Sequence, residues 1–121
     1  MKTTMIPQKT QKGRRVIGLD DDIINPKRFI LMTLLFTLRQ MTEAELSKAS
    51  RIQWGSLSTH LKRLEDKGYV ERKKVITTKG PRTVVKITEK GYTKYLEEVR
   101  KLKEIIRLTE SREGHNEWES N

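Results

Sequence analysis

The stretch Gln53-Trp54-Gly55-Ser56-Leu57-Ser58-Thr59-His60-Leu61-Lys62-Arg63-Leu64-Glu65-Asp66-Lys67-Gly68 decides how this chain is read. Leu57, Leu61 and Leu64 recur at spacings of four and three, which puts them on one face of a helix. Lys67-Gly68 ends it, with glycine at the position beyond the C-cap where a left-handed backbone is wanted. Each residue turns about 100° round the axis. Counted from Leu57 as the buried direction, Gly55, Thr59 and Lys62 fall nearly opposite, and Ser56, Ser58 and Arg63 flank them. The outward face is small and hydroxylated at its N-terminal end and cationic further along.

Such a gradient suits a helix that enters the DNA major groove by its N-terminus. Short side chains let the backbone approach, and hydroxyls bond base edges or phosphates. Gln53, Gly55, Ser56, Ser58 and Thr59 form the reading end, and Lys62 and Arg63 reach the phosphate walls. Arg51, in the preceding turn, adds a phosphate contact. An ordinary solvated helix face is the competing explanation. Gly55 weighs against it, because an interior helical glycine costs roughly 1 kcal/mol relative to alanine. Close approach of a partner compensates that cost, although a loose first turn does so too. Trp54 lies about 60° from the buried direction, so it is expected to brace the first turn, with a sugar–phosphate contact as the alternative. His60 lies as far on the other side and is expected to be half-buried and hydrogen-bonded.

Working back towards the N-terminus, Thr42-Glu43-Ala44-Glu45 is a capping box that opens a short helix ending near Ser50. Before it, Asn25-Pro26 opens a helix with Phe29, Ile30, Leu31, Leu34, Leu35 and Leu38 on a wide apolar face. That helix is expected at the centre of the core, with room to reach a partner subunit. Asp20, Asp21 and Asp22 are expected to supply favourable charge at the start of a short helix containing Ile23 and Ile24. Metal binding there is set aside because the EF-hand spacing is absent. Residues 1–18 carry Lys2, Lys9, Lys12, Arg14 and Arg15 without an acid. They are expected to form a flexible basic arm, either a solvated tail or a DNA-contacting one.

Towards the C-terminus the period changes. Tyr69 to Ile76 and Arg82 to Ile87 read as two strands joined by Thr77-Thr78-Lys79-Gly80-Pro81. Arg72, Lys73, Lys74, Lys79, Arg82 and Lys86 cluster on this hairpin. The density suits a wing laid across a phosphate-lined groove, with Lys74, Lys79, Gly80 and Arg82 as contacts. Thr88 then caps a last helix to about Arg112, followed by a frayed tail over 113–121. Tyr92, Tyr95, Val99, Leu102, Ile106 and Thr109 alternate spacings of three and four along it, an a/d seam whose first turns are expected to pack on their own domain and whose continuation is expected to pair with a second copy.

The bulk numbers agree. The chain of 121 residues carries a formal charge of +10, is 34% hydrophobic and 35% charged, and has no cysteine. The core must be small, disulfides and thiolate metal sites are excluded, and oligomerisation is left to add stability. Such a charge attracts a polyanion, by default nucleic acid. No apolar run approaches the ~20 residues of a membrane span, so a cytoplasmic, nucleoid-associated protein is expected. No catalytic triad, phosphate loop, cofactor site or small-molecule pocket is evident.

The run from Leu19 to about Lys90 resembles the winged helix-turn-helix transcriptional regulators of the ArsR/MarR-like superfamily. Asn25-Pro26-Lys27-Arg28 followed by Ile30-Leu31 is similar to the group's first-helix opening, and Gly55-Ser56-Leu57-Ser58-Thr59-His60-Leu61-Lys62-Arg63-Leu64-Glu65 to its recognition helix. Lys67-Gly68-Tyr69-Val70, Gly80-Pro81-Arg82-Thr83 and Ile87-Thr88-Glu89-Lys90-Gly91 resemble the turn into the wing, the wing tip and the start of the last helix. The resemblance implies a dimer on pseudo-palindromic duplex DNA; the cysteine metal-sensing motifs of many arsenical-type repressors are absent. The expected architecture is α+β and mostly α: a winged helix-turn-helix domain over 19–88 with a two-stranded wing, then a dimerisation helix over 89–112. The expected function is a dimeric regulator reading duplex DNA with its third helix in the major groove and its wing on the adjacent minor groove or phosphates. A sequence-tolerant architectural DNA binder and a winged-helix protein-interaction module are the alternatives.

Overall fold

The computed structural model describes residues 18–120, with side chains as far as Glu110. The elements run α1 (Pro26–Leu38), β1 (Gln40–Thr42), α2 (Glu43–Ser50), α3 (Trp54–Asp66), β2 (Val70–Thr77), β3 (Gly80–Ile87) and α4 (Glu89–Ser120). They fall into two compact units, one spanning Asp20–Leu96 and the other containing Gly18, Leu19 and α4 from Glu97 onward. The expected basic arm, apart from Gly18, lies outside the described residues.

Each helix starts where its local chemistry dictates. The Asn25 side chain accepts from the backbone N–H groups of Lys27 and Arg28, with Pro26 at the first helical position. Thr42 and Glu45 close the expected capping box at 3.0 and 2.9 Å. Thr88 Oγ1 accepts from the Gly91 N–H at 3.0 Å while donating to the Gly68 carbonyl at 2.6 Å, so one hydroxyl caps α4 and ties it to the end of α3. Gly68 sits at φ 80°, the left-handed conformation that stops α3. The last helix continues to Ser120, eight residues past its expected end near Arg112.

The Asp20–Asp22 segment corrects an expectation. It is a hydrogen-bonded turn, not a short helix. Asp20 Oδ1 accepts from the N–H groups of Asp22 and Ile23 at 2.7 and 3.1 Å. Asn25 precedes proline and is held extended at φ −140°, which leaves no room to propagate a helix.

The wing belongs to a three-stranded antiparallel sheet ordered β1-β3-β2, and β1 was not anticipated. Met41 pairs with Val85, and Val70, Arg72, Lys74 and Ile76 pair with Ile87, Val85, Thr83 and Pro81. The wing strands extend further toward the tip than expected, leaving Thr78-Lys79 as the connection and Gly80 at φ 101°. The core of the Asp20–Leu96 unit forms where Leu31, Met32 and Leu35 of α1 meet Leu46, Leu57, Leu61, Leu64 and Val85, all fully buried. Phe36 stacks on Tyr92 with centroids 4.5 Å apart and contacts Tyr95 at 4.8 Å, closing the first turns of α4 on α1.

Gly91 is required by approach. A Cβ there would land against the Tyr69 carbonyl, which itself accepts from the Thr88 N–H at 3.0 Å. Gly91→Ala is expected to lower unfolding free energy by about 1–3 kcal/mol, measured by denaturant melts, whereas Gly55→Ala, with nothing within 4 Å of its added Cβ, should be neutral or stabilising.

Candidate nucleic-acid interface

The helix-turn-helix is built by α2, Arg51-Ile52-Gln53 and α3. Ile52 is buried, its carbonyl accepting from Ser47 Oγ at 2.7 Å and its N–H donating to Ser50 Oγ at 3.2 Å. Arg51 takes the left-handed conformation at φ 62° and its side chain stays exposed. Gln53 caps α3 without a side-chain bond. Leu57, Leu61 and Leu64 are buried, and Gly55, Ser58, Thr59, Lys62 and Arg63 are exposed, with Ser56 half-buried. The angular assignment of α3 therefore matches its observed faces. Thr59 Oγ1 donates to the Gly55 carbonyl at 3.2 Å, which parks the hydroxyl on its own helix.

The cations of α3 have partners that the sequence did not disclose. Arg63 Nε donates to Asp22 Oδ1 at 2.7 Å, and Lys67 Nζ lies 3.4 Å from Asp22 Oδ2. The Arg63 bond, aided by Lys67 and opposed by burial, holds the Asp22 carboxyl below its usual range. Lys62 pairs with Asp66 at 3.2 Å on the exposed surface. Phosphate contact by these side chains means exchanging an acid for a phosphate.

Two conspicuous side chains part ways. Trp54 does not brace the core; it is 53% exposed. It occupies the first position of α3, and a direction near the buried face meets no packing at a helix end. His60 is half-buried and hydrogen-bonded as expected: Arg28 Nη1 donates to its Nδ1 at 2.9 Å. Arginine only donates, so Nδ1 must be unprotonated. Arg28 is 7% exposed, and its other nitrogens donate to the carbonyls of Asp22 at 2.6 Å and Asp21 at 3.0 Å. The three aspartates thus organise a turn around a buried guanidinium. Among the described residues no group of three His, Asp or Glu side chains is arranged to hold a metal ion.

The wing's charge is divided. Arg72 bonds Glu65 at 2.8 Å and Glu43 at 3.1 Å, tying β2 to α3 and α2. It serves the fold and leaves the basic cluster. Lys74 and Lys79 are exposed. Arg82 is half-buried, folded back on the Pro81 carbonyl at 2.8 Å, and opposite Val75, so it lies on the sheet face away from Lys74. The tip is fastened by Thr77 Oγ1, which donates to the Gly80 carbonyl at 2.7 Å and accepts from the Lys79 N–H at 3.1 Å.

Of the expected seam, Tyr92 and Tyr95 are engaged within their own unit by Phe36, and Tyr95 also bonds Thr33 at 2.6 Å. Val99 and Leu102 are half-buried, and Ile106 and Thr109 are exposed. An open groove of about 620 Å³, unforeseen from sequence, is lined by Leu38, Gln40, Met41, Glu45, Lys48 and Ala49.

With a helix-turn-helix joined to a hairpin wing, the sequence matches the family model of the winged helix DNA-binding domain over residues 27–106. The chain belongs to this winged-helix family. A transcriptional regulator homologue from Pyrococcus horikoshii superposes with a TM-score of 0.71 at 30% identity, covering 78% of this chain and 92% of that one. A MarR mutant from E. coli, solved with operator DNA, superposes with a TM-score of 0.56 at 26% identity, covering 74% of this chain and 65% of that one. An uncharacterized protein of Methanocaldococcus jannaschii is 33% identical over 82 residues, 65% of this chain and 89% of its own length. This winged-helix chain is thus similar to MarR-type DNA-binding transcriptional regulators, and among its described residues no helix is long and apolar enough to cross a membrane.

Burial, reinforced by Arg28, Lys27 and Arg63, lowers the His60 pKa from its ordinary 6.5. The unfolded chain therefore binds more protons between the two values, so stability is full above about pH 6.5 and declines as pH falls through the lowered folded value. Thermal melts over pH should show this decline, and His60→Gln, neutral at every pH, should remove it.

Proposed function

We propose that this protein is a homodimeric transcriptional regulator that inserts α3 into the major groove of duplex DNA and rests the wing on the adjacent minor groove or its phosphates, acting on cytoplasmic DNA. One observation carries the reading. The outward face of α3 is bare at Gly55, with nothing within 4 Å of its missing side chain, and is continued by exposed Ser58, Thr59 and Lys62. That is the profile of a helix whose backbone approaches base edges. Arg51 and Gln53 stand at the leading edge, and Lys74, Lys79 and Arg82 supply the wing's share of phosphate attraction. The operator-bound MarR mutant is a relative in which a similar fold meets DNA.

Dimerisation is supported by uncovered apolar side chains. Ile106 and Leu108 of α4 are 52% and 63% exposed, and Ile30 and Leu38 of α1 are also uncovered. Since Tyr95 is committed within its own unit, the seam is assigned to the later positions Val99, Leu102, Ile106 and Thr109. Two copies would present paired reading helices to successive major-groove faces.

Selection of bound sequences from a random duplex pool, followed by a salt series, tests the reading. A shared motif with inverted half-sites is expected; equal affinity for all duplexes would instead favour an architectural binder. Lys79→Ala should weaken binding to all sequences and lower the log–log salt slope by about 1. Thr59→Ala should change the preferred base at one position. Arg51→Gly should leave the melting temperature unchanged or raise it, because glycine relieves the left-handed strain, while weakening DNA binding. Ile106→Lys should halve the mass seen by light scattering.

A further inference from the structure

The sheet face that carries the core changes character along the hairpin. At its base Val70 and Ile87 are buried; next, Val85 is buried and Arg72 is held by Glu43 and Glu65. Beyond them the strands outrun the helices, and Lys74 stands opposite Thr83. The last pair before the turn is Ile76 opposite Pro81, and both are exposed, Ile76 at 83%. Among the large hydrophobic side chains left exposed in the described residues, Ile76 is the most open. Two apolar side chains thus sit side by side at the end of a hairpin, with Lys74 behind them and Lys79 in the turn ahead.

We propose that Ile76 and Pro81 form an apolar wedge that enters the minor groove and bends the duplex. The proposal rests on the regulator reading above and adds a deformation to it. Its occupant is chosen by charge. Apart from Arg72, which Glu43 and Glu65 neutralise, residues 70–87 carry five cations and one acid, Glu71. That surface repels the equally basic hairpin of a second copy and attracts a polyanion. Lys74 and Lys79 grip phosphates on either side, which places the pair over the groove between them. Isoleucine and proline are among the residues that unstack a base step when pressed into the minor groove, kinking the DNA so that more protein surface is covered. Flexible pyrimidine–purine steps yield most easily, so the wedge also selects sequence at positions no hydrogen bond reads.

The experiment uses the full chain and a short duplex from the selected pool, carrying a donor and an acceptor dye at its two ends. Binding and end-to-end energy transfer are read together. Wild type should raise energy transfer on binding, most at duplexes with a TA or CA step beneath the wing. Ile76→Ser should abolish that rise and weaken binding roughly tenfold while leaving the salt slope unchanged, because no phosphate contact is lost. Ile76→Leu should retain the bend. Unchanged thermal melting of Ile76→Ser is expected for so exposed a side chain and shows that the variant is folded. A wild type that binds without bending, or an Ile76→Ser variant that binds and bends like wild type, overturns the wedge alone. A changed mass of Ile76→Ser in light scattering, free of DNA, also overturns it and assigns Ile76 to self-association. A wild type that binds no duplex overturns the regulator reading and the wedge with it.

Discussion

A guanidinium out of water needs a partner for each of its donors, since an unpaired buried charge costs far more than a hydrogen bond returns. Arg28 places three of its donors on the carbonyls of Asp21 and Asp22, a turn away in sequence, and on the ring of the distant His60. Because His60 is on α3, the same side chain that orders the 20–22 turn also ties α3 to α1. The turn in turn presents Asp22 to Arg63 and Lys67. Position of the helix and state of its cations thus descend from one buried charge.

A second linkage of the same kind holds the wing. Arg72 joins β2 to Glu65 of α3 and Glu43 of α2. The hairpin is therefore oriented by the helix-turn-helix itself, through charge-assisted bonds that are only partly exposed to solvent. Beyond Arg72 the hairpin carries no such ties, and its exposed residues are free to meet another surface. Along β2 a paired, half-buried Arg72 is followed by the exposed Lys73 and Lys74.

Much of the fold was legible locally. Asn25, Thr42, Gly68 and Thr88 each mark a helix boundary by a bond or a backbone conformation that involves residues a few positions away. The leucine spacing of α3 and its exposed opposite face followed from helical geometry alone. β1 was illegible for the converse reason. It is three residues long and exists only through pairing with Val84–Lys86, more than forty positions on, and no local pattern announces such a strand. Trp54 was misplaced because an angular projection treats a helix as endless, whereas the first turn of α3 has open surroundings on the side where Leu57 is packed.

Spacing, capping and summed charge are local or additive, so the order of elements, the exposed face of α3 and the basic character of the chain could be read from the residues alone. Tertiary structure alone decided which charges remain available to a partner. Arg63 meets Asp22 forty-one positions away, and Arg72 meets Glu43 twenty-nine away; Tyr95 is spent on α1 through Thr33. A side chain's identity states what it can bind, but whether it is already bound depends on distances that the fold sets. The helix quoted at the outset therefore kept its faces, while its cations proved to have acidic partners within the fold.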